Sequence, residues 1–321
     1  MQRVDMARNH ALVIAVVGAT ASGKSELAIA LAKEIGGDVV NADSMQLYRG
    51  MDIGTAKLPV AKRGGVPHHL LDIWDVTEAA SVADYQQRAR AAFTEIASRD
   101  RRCVLVGGSG LYVRAALDDL EFPGTDPGVR GRIEAELEAY GSAAMHARLA
   151  RVDPGAAARI LTGNGRRIVR ALEVVEITGG PYLASLPEPA YTMPAVQIGV
   201  DVPRPVLDAR IAARVEAMWQ SGFVVEVRDL AEHSGLAQAR TASRALGYAQ
   251  VLRYLAGEWS EQRAREETVR ATRRFARRQE TWFRRDPRVH WLGHDDPALV
   301  SRAVEIAQGL DMATARRSAD A

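Results

Sequence analysis

The segment Gly18-Ala19-Thr20-Ala21-Ser22-Gly23-Lys24-Ser25 matches G-x-x-x-x-G-K-[ST], the spacing of a loop that wraps a phosphate group. Its glycines let backbone N–H groups turn inward as an anion nest, and a helix starting just behind it adds a positive N-terminal end. In such a loop Lys24 reaches the terminal phosphate as a point charge, and the Ser25 hydroxyl is the candidate Mg²⁺ ligand. The chemistry implied is di- or triphosphate binding, with hydrolysis a separate matter. Hydrolytic and switch NTPases add a second acid at the end of an apolar strand to hold the metal. The run Cys103-Val104-Leu105-Val106 ends instead in Gly107-Gly108-Ser109-Gly110, and no apolar strand is expected to end in such an acid. The acid in a telling place is Asp43, at the end of the strand after the loop helix. Carboxyl ends of strands line the ligand crevice of open α/β sheets, which makes Asp43 a candidate general base or Mg²⁺ partner. The alternative is a turn aspartate capping the N–H of Ser44 or Met45.

Other reactive residue types have plainer readings. His68 and His69 are adjacent, so on a strand they point to opposite faces and cannot share one metal; structural hydrogen bonding is expected of them. Cys103, the single cysteine, opens an apolar strand and reads as a buried, inert small hydrophobe. Trp282 and Phe283 could stack bases, but core packing of a long helix is the expectation. Arginine is the unusual feature. Of 42 basic residues only Lys24, Lys33, Lys57 and Lys62 are lysines, yet the net charge is +2. A genomic codon bias would explain the ratio but not the clustering. Between Arg263 and Arg288 ten arginines face four acids, and Arg270, Arg273, Arg274, Arg277 and Arg278 recur at helical spacing. Such a stripe reads as a polyanion surface. Arg166, Arg167 and Arg170 form a second group.

The elements that must position these residues follow from periodicity. Leu12 to Val17 is an unbroken apolar run, as in a parallel strand covered on both faces. Helices are expected over 26–35 and 82–99, the second capped by Ser81 with Tyr85, Ala89, Ala92, Phe93 and Ile96 on one face. Short strands are expected over 38–42 and 103–106. This alternation predicts a P-loop parallel sheet flanked by helices, an α/β fold with right-handed crossovers. From 118 to 194 the rhythm is helical only, with helices over 131–140, 143–151 and 166–178 and a proline-rich connector from Pro181 to Pro194. The α/β domain is therefore discontinuous, 11–117 with 195–310, and carries an inserted all-helical subdomain over 118–194. A strand over 196–200, helices over 206–220, 224–233 and 261–285, a strand over 289–292 and a helix over 297–309 complete it. Residues 1–10 and 311–321 are read as flexible tails. A hydrophobic fraction of 47% with 26% charged residues excludes disordered and fibrous classes, and one cysteine excludes an intramolecular disulfide framework. No apolar run approaches the ~20 residues of a membrane span, so a cytoplasmic protein without a membrane partner is expected.

Several segments are distinctive together: the phosphate loop; Asn41-Ala42-Asp43-Ser44-Met45-Gln46-Leu47-Tyr48-Arg49-Gly50-Met51-Asp52-Ile53-Gly54-Thr55-Ala56-Lys57; His68-His69-Leu70-Leu71-Asp72; Gly107 to Tyr112; Arg167 to Glu173; Ala245-Leu246-Gly247-Tyr248; and Arg278 to Arg284. In these, and over nearly the whole chain, the sequence resembles the bacterial tRNA dimethylallyltransferase family. The resemblance implies that residues Gly18 to Ser25 hold the diphosphate of dimethylallyl diphosphate, and that diphosphate leaves as the prenyl group moves to N6 of adenosine 37 beside the tRNA anticodon. It assigns Asp43 as acceptor of the amine proton on a flipped adenine. Lys24, and Ser25 through Mg²⁺, then stabilise the departing charge, and Ser109 lines the channel with its hydroxyl near the diphosphate. It places tRNA contacts at Asp43, Ser44, Met45, Gln46, Ser109, Arg130, Arg166, Arg167, Ile168, Val169, Arg170, Arg244, Gly247 and Tyr248, with the insertion gripping the anticodon arm. Ala19 stands where the family has proline, Ser25 and Ser109 where it has threonine, Arg166 where it has glutamine and Ala249 where it has lysine or arginine. A monomer is expected. Two other classes keep the same phosphate loop or arginine surface: a small-molecule or nucleotide kinase, and a non-catalytic RNA-binding module.

Overall fold

All five side chains of β1 (Val13–Val17) are buried, because the strand lies inside a parallel sheet with helices on both faces. The computed structural model describes residues 12–182 and 186–319. After β1 come α1 (Lys24–Glu34), β2 (Gly37–Asn41), the short β3 (His68–His69), α2 (Val82–Ser98), β4 (Arg102–Gly107) and α3 (Gly110–Leu117). In α2 the Ser81 hydroxyl accepts from the Asp84 N–H at 3.2 Å, and Tyr85, Ala89, Ala92, Phe93 and Ile96 are its buried face. Burying each of the larger three stabilises the fold by about 1.5–3 kcal/mol, which decides which face turns inward.

The chain then forms α4 (Pro127–Val152), α5 (Pro154–Arg159) and α6 (Gly165–Thr178). α4 is broken at Gly141, whose φ of 77° no helix accommodates, so it is two helices joined where the spacing divides them. Residues 119–189 make a compact unit of their own around Ile133, Met145, Leu149, Ile160, Ile168 and Leu172. The expected insertion, 118–194, is slightly longer than this unit. The remaining elements are β5 (Ala195–Asp201), α7 (Arg204–Gln220), α8 (Phe223–His233), α9 (Tyr248–Leu255), α10 (Glu261–Arg284), β6 (Val289–Gly293) and α11 (Leu299–Ala319). At the junction with the insertion, Asp118 and Tyr191 bridge through their backbones, and the buried Asp118 carboxylate accepts from Arg114 at 2.6 Å and Arg288 at 2.7 Å.

The six strands run parallel in the order β3-β2-β4-β1-β5-β6. Their carboxyl ends therefore carry, side by side, the phosphate loop after β1, Asp43 after β2 and Ser109 after β4. Three short helices, α3, α5 and α9, escape periodicity because each spans eight residues or fewer. The backbone of 311–319 continues α11 rather than forming the tail expected there. The other expected tail, 1–10, lies outside the described residues. Among the described residues no helix is long and apolar enough to cross a membrane.

Candidate active site

The phosphate loop is shaped by three residues with positive φ: Gly18 at 148°, Ala21 at 65° and Gly23, the N-cap of α1, at 94°. Ala21 accepts the left-handed region at a strain cost, as a loop built to turn its amides inward requires. The Lys24 ammonium is buried and donates to the Ala19 carbonyl at 3.3 Å. Burial pulls its pKa down to about 8; Asp43 opposes that shift and Arg214 adds to it. The Ser22 hydroxyl is buried without a hydrogen-bond partner.

Two residues that spacing could not assign complete the loop. Gln279 of α10 accepts from the Thr20 N–H at 2.9 Å and donates to the Gly108 carbonyl at 2.9 Å, so one carboxamide ties the loop to the turn after β4. Arg214 of α7 donates to the Thr20 hydroxyl at 3.5 Å. It is largely buried, and desolvation weakens its hold on its proton. No carboxylate among the described residues pairs with it, which leaves a buried cation beside an anion loop. Gln279 lies in a segment rich in arginine and Arg214 in an ordinary amphipathic helix; nothing in their spacing signals a phosphate site.

Asp43 stands in a turn built by Asn41, whose carboxamide accepts from the Asp43 N–H at 2.9 Å and donates to the Asp43 and Leu70 carbonyls. One carboxylate oxygen of Asp43 accepts from the Met45 N–H at 3.0 Å. The turn-capping reading is thus true of one oxygen, and it holds the carboxylate in place without using the second. Ser109 joins this turn: its hydroxyl accepts from the Ser44 N–H and donates to the Ser44 hydroxyl, both at 3.3 Å. The approach is close because Gly107 has no Cβ; one built there would collide with the Ala42 backbone. Gln46 donates to the Thr55 carbonyl at 3.1 Å, and Lys57 anchors the following loop by donating to the Tyr48 carbonyl at 2.8 Å and to Asp52 and Asp72.

Thr20, Asp43, Ser44 and Arg214 form the polar end of a cavity of about 330 Å³. Ile211, Val215 and Met218 of α7, Leu246, and Phe275 of α10 supply apolar walls. A phosphate loop, a carboxylate and an oily chamber in one cavity suit a substrate with a charged end and a hydrocarbon end. Outside it, α10 presents an open depression of about 470 Å³ lined by Glu266, Val269, Arg270, Arg273, Arg274 and Arg277. Arg270, Arg273, Arg284 and Arg288 have acid partners, whereas Arg274, Arg277 and Arg278 are exposed with none among the described residues. The unneutralised charge is narrower than the arginine count, and Arg278 carries it to the cavity.

Several sequence expectations change. β5 does end in an acid, Asp201, which is spent on an ion pair with Arg284. Phe283 is core, but Trp282 is 38% exposed and its indole rests on Gly110, the residue after Ser109. Ile168 and Val169 are interior side chains of the insertion and Tyr248 is interior to the α/β unit, so none presents a side chain to RNA. Their motifs are amphipathic, and the apolar members turn inward. Gly247 is likewise buried, pressed on Phe223, while Arg244 is exposed at the cavity. Within the insertion Arg130 and Arg170 converge on the buried Glu173, at 2.5 and 2.8 Å, and Arg166 and Arg167 are exposed. His69 bonds Asp38 at 3.0 Å and His68 the Val66 carbonyl at 2.8 Å. Cys103 is buried and its pKa is pushed up to about 12 by desolvation.

Comparisons with known proteins agree with this geometry. The family model for IPP transferase matches residues 46–286. The tRNA dimethylallyltransferase of Thermobifida fusca is 65% identical over 296 residues, covering 91% of this chain and 92% of the relative. That of Kineococcus radiotolerans is 62% identical, covering 94% and 98%. Among solved structures, the tRNA isopentenylpyrophosphate transferase of Bacillus halodurans superposes with a TM-score of 0.70 at 38% identity, over 96% of this chain and 98% of that one. A eukaryotic dimethylallyltransferase acting on tRNA shares the fold with a TM-score of 0.81 at 24% identity, over 94% and 80%. With identity this high across nearly its whole length, the chain belongs to the tRNA dimethylallyltransferase family.

Proposed function

We propose that this enzyme transfers the dimethylallyl group of dimethylallyl diphosphate to N6 of adenosine 37, next to the anticodon, and releases diphosphate. Prenyl transfer to tRNA follows from the family. The choice of N6 of adenosine 37 rests on the family resemblance; the donor is supported by the observation that carries this reading, an apolar chamber that meets Thr20 of the phosphate loop and Asp43. A kinase would need a polar pocket for a hydroxylated acceptor there, and the family argues against it.

In this reading the N6 lone pair forms a bond to the allylic carbon while the carbon–oxygen bond breaks, its electron pair leaving with the diphosphate. Asp43, through the oxygen not bonded to Met45, accepts the amine proton. Lys24, Arg214 and the loop amides receive the departing charge in a site where burial strengthens each interaction. Mg²⁺ fits the donor chemistry only as an ion held largely by phosphate oxygens. Ser25, the second residue of α1, would hold it by its hydroxyl, and no group of three His, Cys, Asp or Glu suited to a metal occurs among the described residues. When bound, it would neutralise the leaving group. Arg274, Arg277, Arg278 and Arg244, all exposed, offer cations to the anticodon arm.

The test is to incubate unmodified tRNA with dimethylallyl diphosphate and Mg²⁺ and to weigh the adenosine by mass spectrometry. One five-carbon unit is expected on adenosine 37 with wild type. With Asp43→Asn transfer should fall at least ~100-fold, the usual contribution of a general base, while tRNA binding persists. Wild-type transfer to another atom, or normal turnover in the variant, would overturn the assignment.

A further inference from the structure

The cavity has two walls made of chain that is neither helix nor strand: Gly54-Thr55-Ala56 on one side and Ala245 to Gly247 on the other. Both lead to one side chain. The Glu226 carboxylate, from α8, accepts from the backbone N–H groups of Asp52 at 3.1 Å, Ile53 at 2.7 Å and Gly54 at 3.2 Å. It also accepts from the Tyr248 hydroxyl at 2.6 Å. Three consecutive amides aimed at one carboxylate form a nest of the kind that ordinarily holds an anion; here the anion belongs to the protein. Tyr248 follows Gly247 directly, so the same carboxylate holds the end of the second wall. No lysine, arginine or histidine pairs with Glu226 among the described residues, so the four donors are what compensate its charge.

The packing around this carboxylate says the same independently. A Cβ built on Gly54 would collide with the rings of Phe223 and Tyr248, and one on Gly247 with Phe223. Phe223 and Tyr248 meet edge to face at 5.1 Å. Both walls are therefore pressed on one aromatic pair as well as tied to one carboxylate, and neither can recede while those contacts last.

We propose that Glu226 is a positioning residue for the prenyl donor: it holds the two irregular walls at a fixed separation and so sets the length of hydrocarbon the cavity accepts. The inference rests on the cavity being the prenyl site, as argued above. Glu226 touches no reacting atom in this arrangement. Its removal should widen the chamber and weaken discrimination against longer allylic diphosphates, leaving the phosphate loop intact.

The experiment measures kcat/KM for dimethylallyl diphosphate and for the ten-carbon geranyl diphosphate, with the same tRNA, in wild type, Glu226→Gln and Tyr248→Phe. Glu226→Gln keeps the shape but turns an amide toward three backbone donors. Tyr248→Phe keeps the ring and removes one bond, and serves if the glutamine variant does not fold. The ratio of the two values is the readout, because a smaller folded fraction lowers both equally and cancels. The ratio should fall about tenfold or more in Glu226→Gln, the size of a pocket's grip on one or two methylenes, and less in Tyr248→Phe. An unchanged ratio in a folded Glu226→Gln, or in Tyr248→Phe if the first is unfolded, overturns the proposal. Failure of wild type to transfer the five-carbon group refutes the functional reading instead.

Discussion

Lys24 offers a test in which stability and binding must move in opposite directions. Its ammonium is buried in the phosphate loop, so the folded chain releases the proton near pH 8 and the unfolded chain near 10.5. Between those values the unfolded chain holds more protons, and stability must rise with pH. From these two values, the buried charge costs ~3 kcal/mol at pH 7.5 and about half that at pH 9.5. Lys24→Met removes the titration while filling the same space. Urea unfolding at the two pH values should therefore show the stability advantage of Lys24→Met shrinking by ~2 kcal/mol as pH rises. Binding of inorganic diphosphate should weaken over the same interval, since the cation that receives it is lost. Lys24→Arg remains charged and carries the ligand's own titration, so the difference between the two proteins isolates Lys24. An advantage of Lys24→Met that does not change from pH 7.5 to 9.5 would show that the ammonium keeps its solvation, and the account of a desolvated cation awaiting an anion would fail.

Gln279→Ala removes two hydrogen bonds and leaves the Thr20 N–H and the Gly108 carbonyl without partners. A loss of ~2–4 kcal/mol in urea unfolding is expected, and a loss under ~0.5 kcal/mol would mean water replaces the carboxamide. Single alanine substitutions of Arg274, Arg277 and Arg278 should each lower the salt dependence of tRNA binding by about one phosphate contact, read as the slope of log affinity against log salt. The same change at Arg288, paired with Asp118 and Asp286, should leave that slope alone.

Much of this molecule was legible from local pattern, because those features depend on neighbours in the chain. The strand–loop–helix around Lys24 is recognisable because glycine spacing, an apolar run and a helical face are each short-range properties. The α2 face could be read residue by residue for the same reason, and so could the break at Gly141. Asp43 was legible as a strand-end residue in a parallel sheet, where topology brings such ends to one crevice, whereas Ser109 was assigned by the family resemblance. What pattern leaves open is the direction of a side chain and the identity of a distant partner. Ile168, Val169 and Tyr248 lie in distinctive motifs yet point inward, because burial of apolar surface overrides membership of a polar segment. Asp201 ends a strand, as a metal-binding acid would, but Arg284 takes it. The groups that finish the site, Gln279 and Arg214 on Thr20, and Glu226 under the two walls, act across separations of 259, 194 and up to 174 residues. Sequence determined the chemistry at the carboxyl ends of the strands; only the packing of α7, α8 and α10 against them decided which polar groups satisfy the loop and how wide the chamber beside it stands.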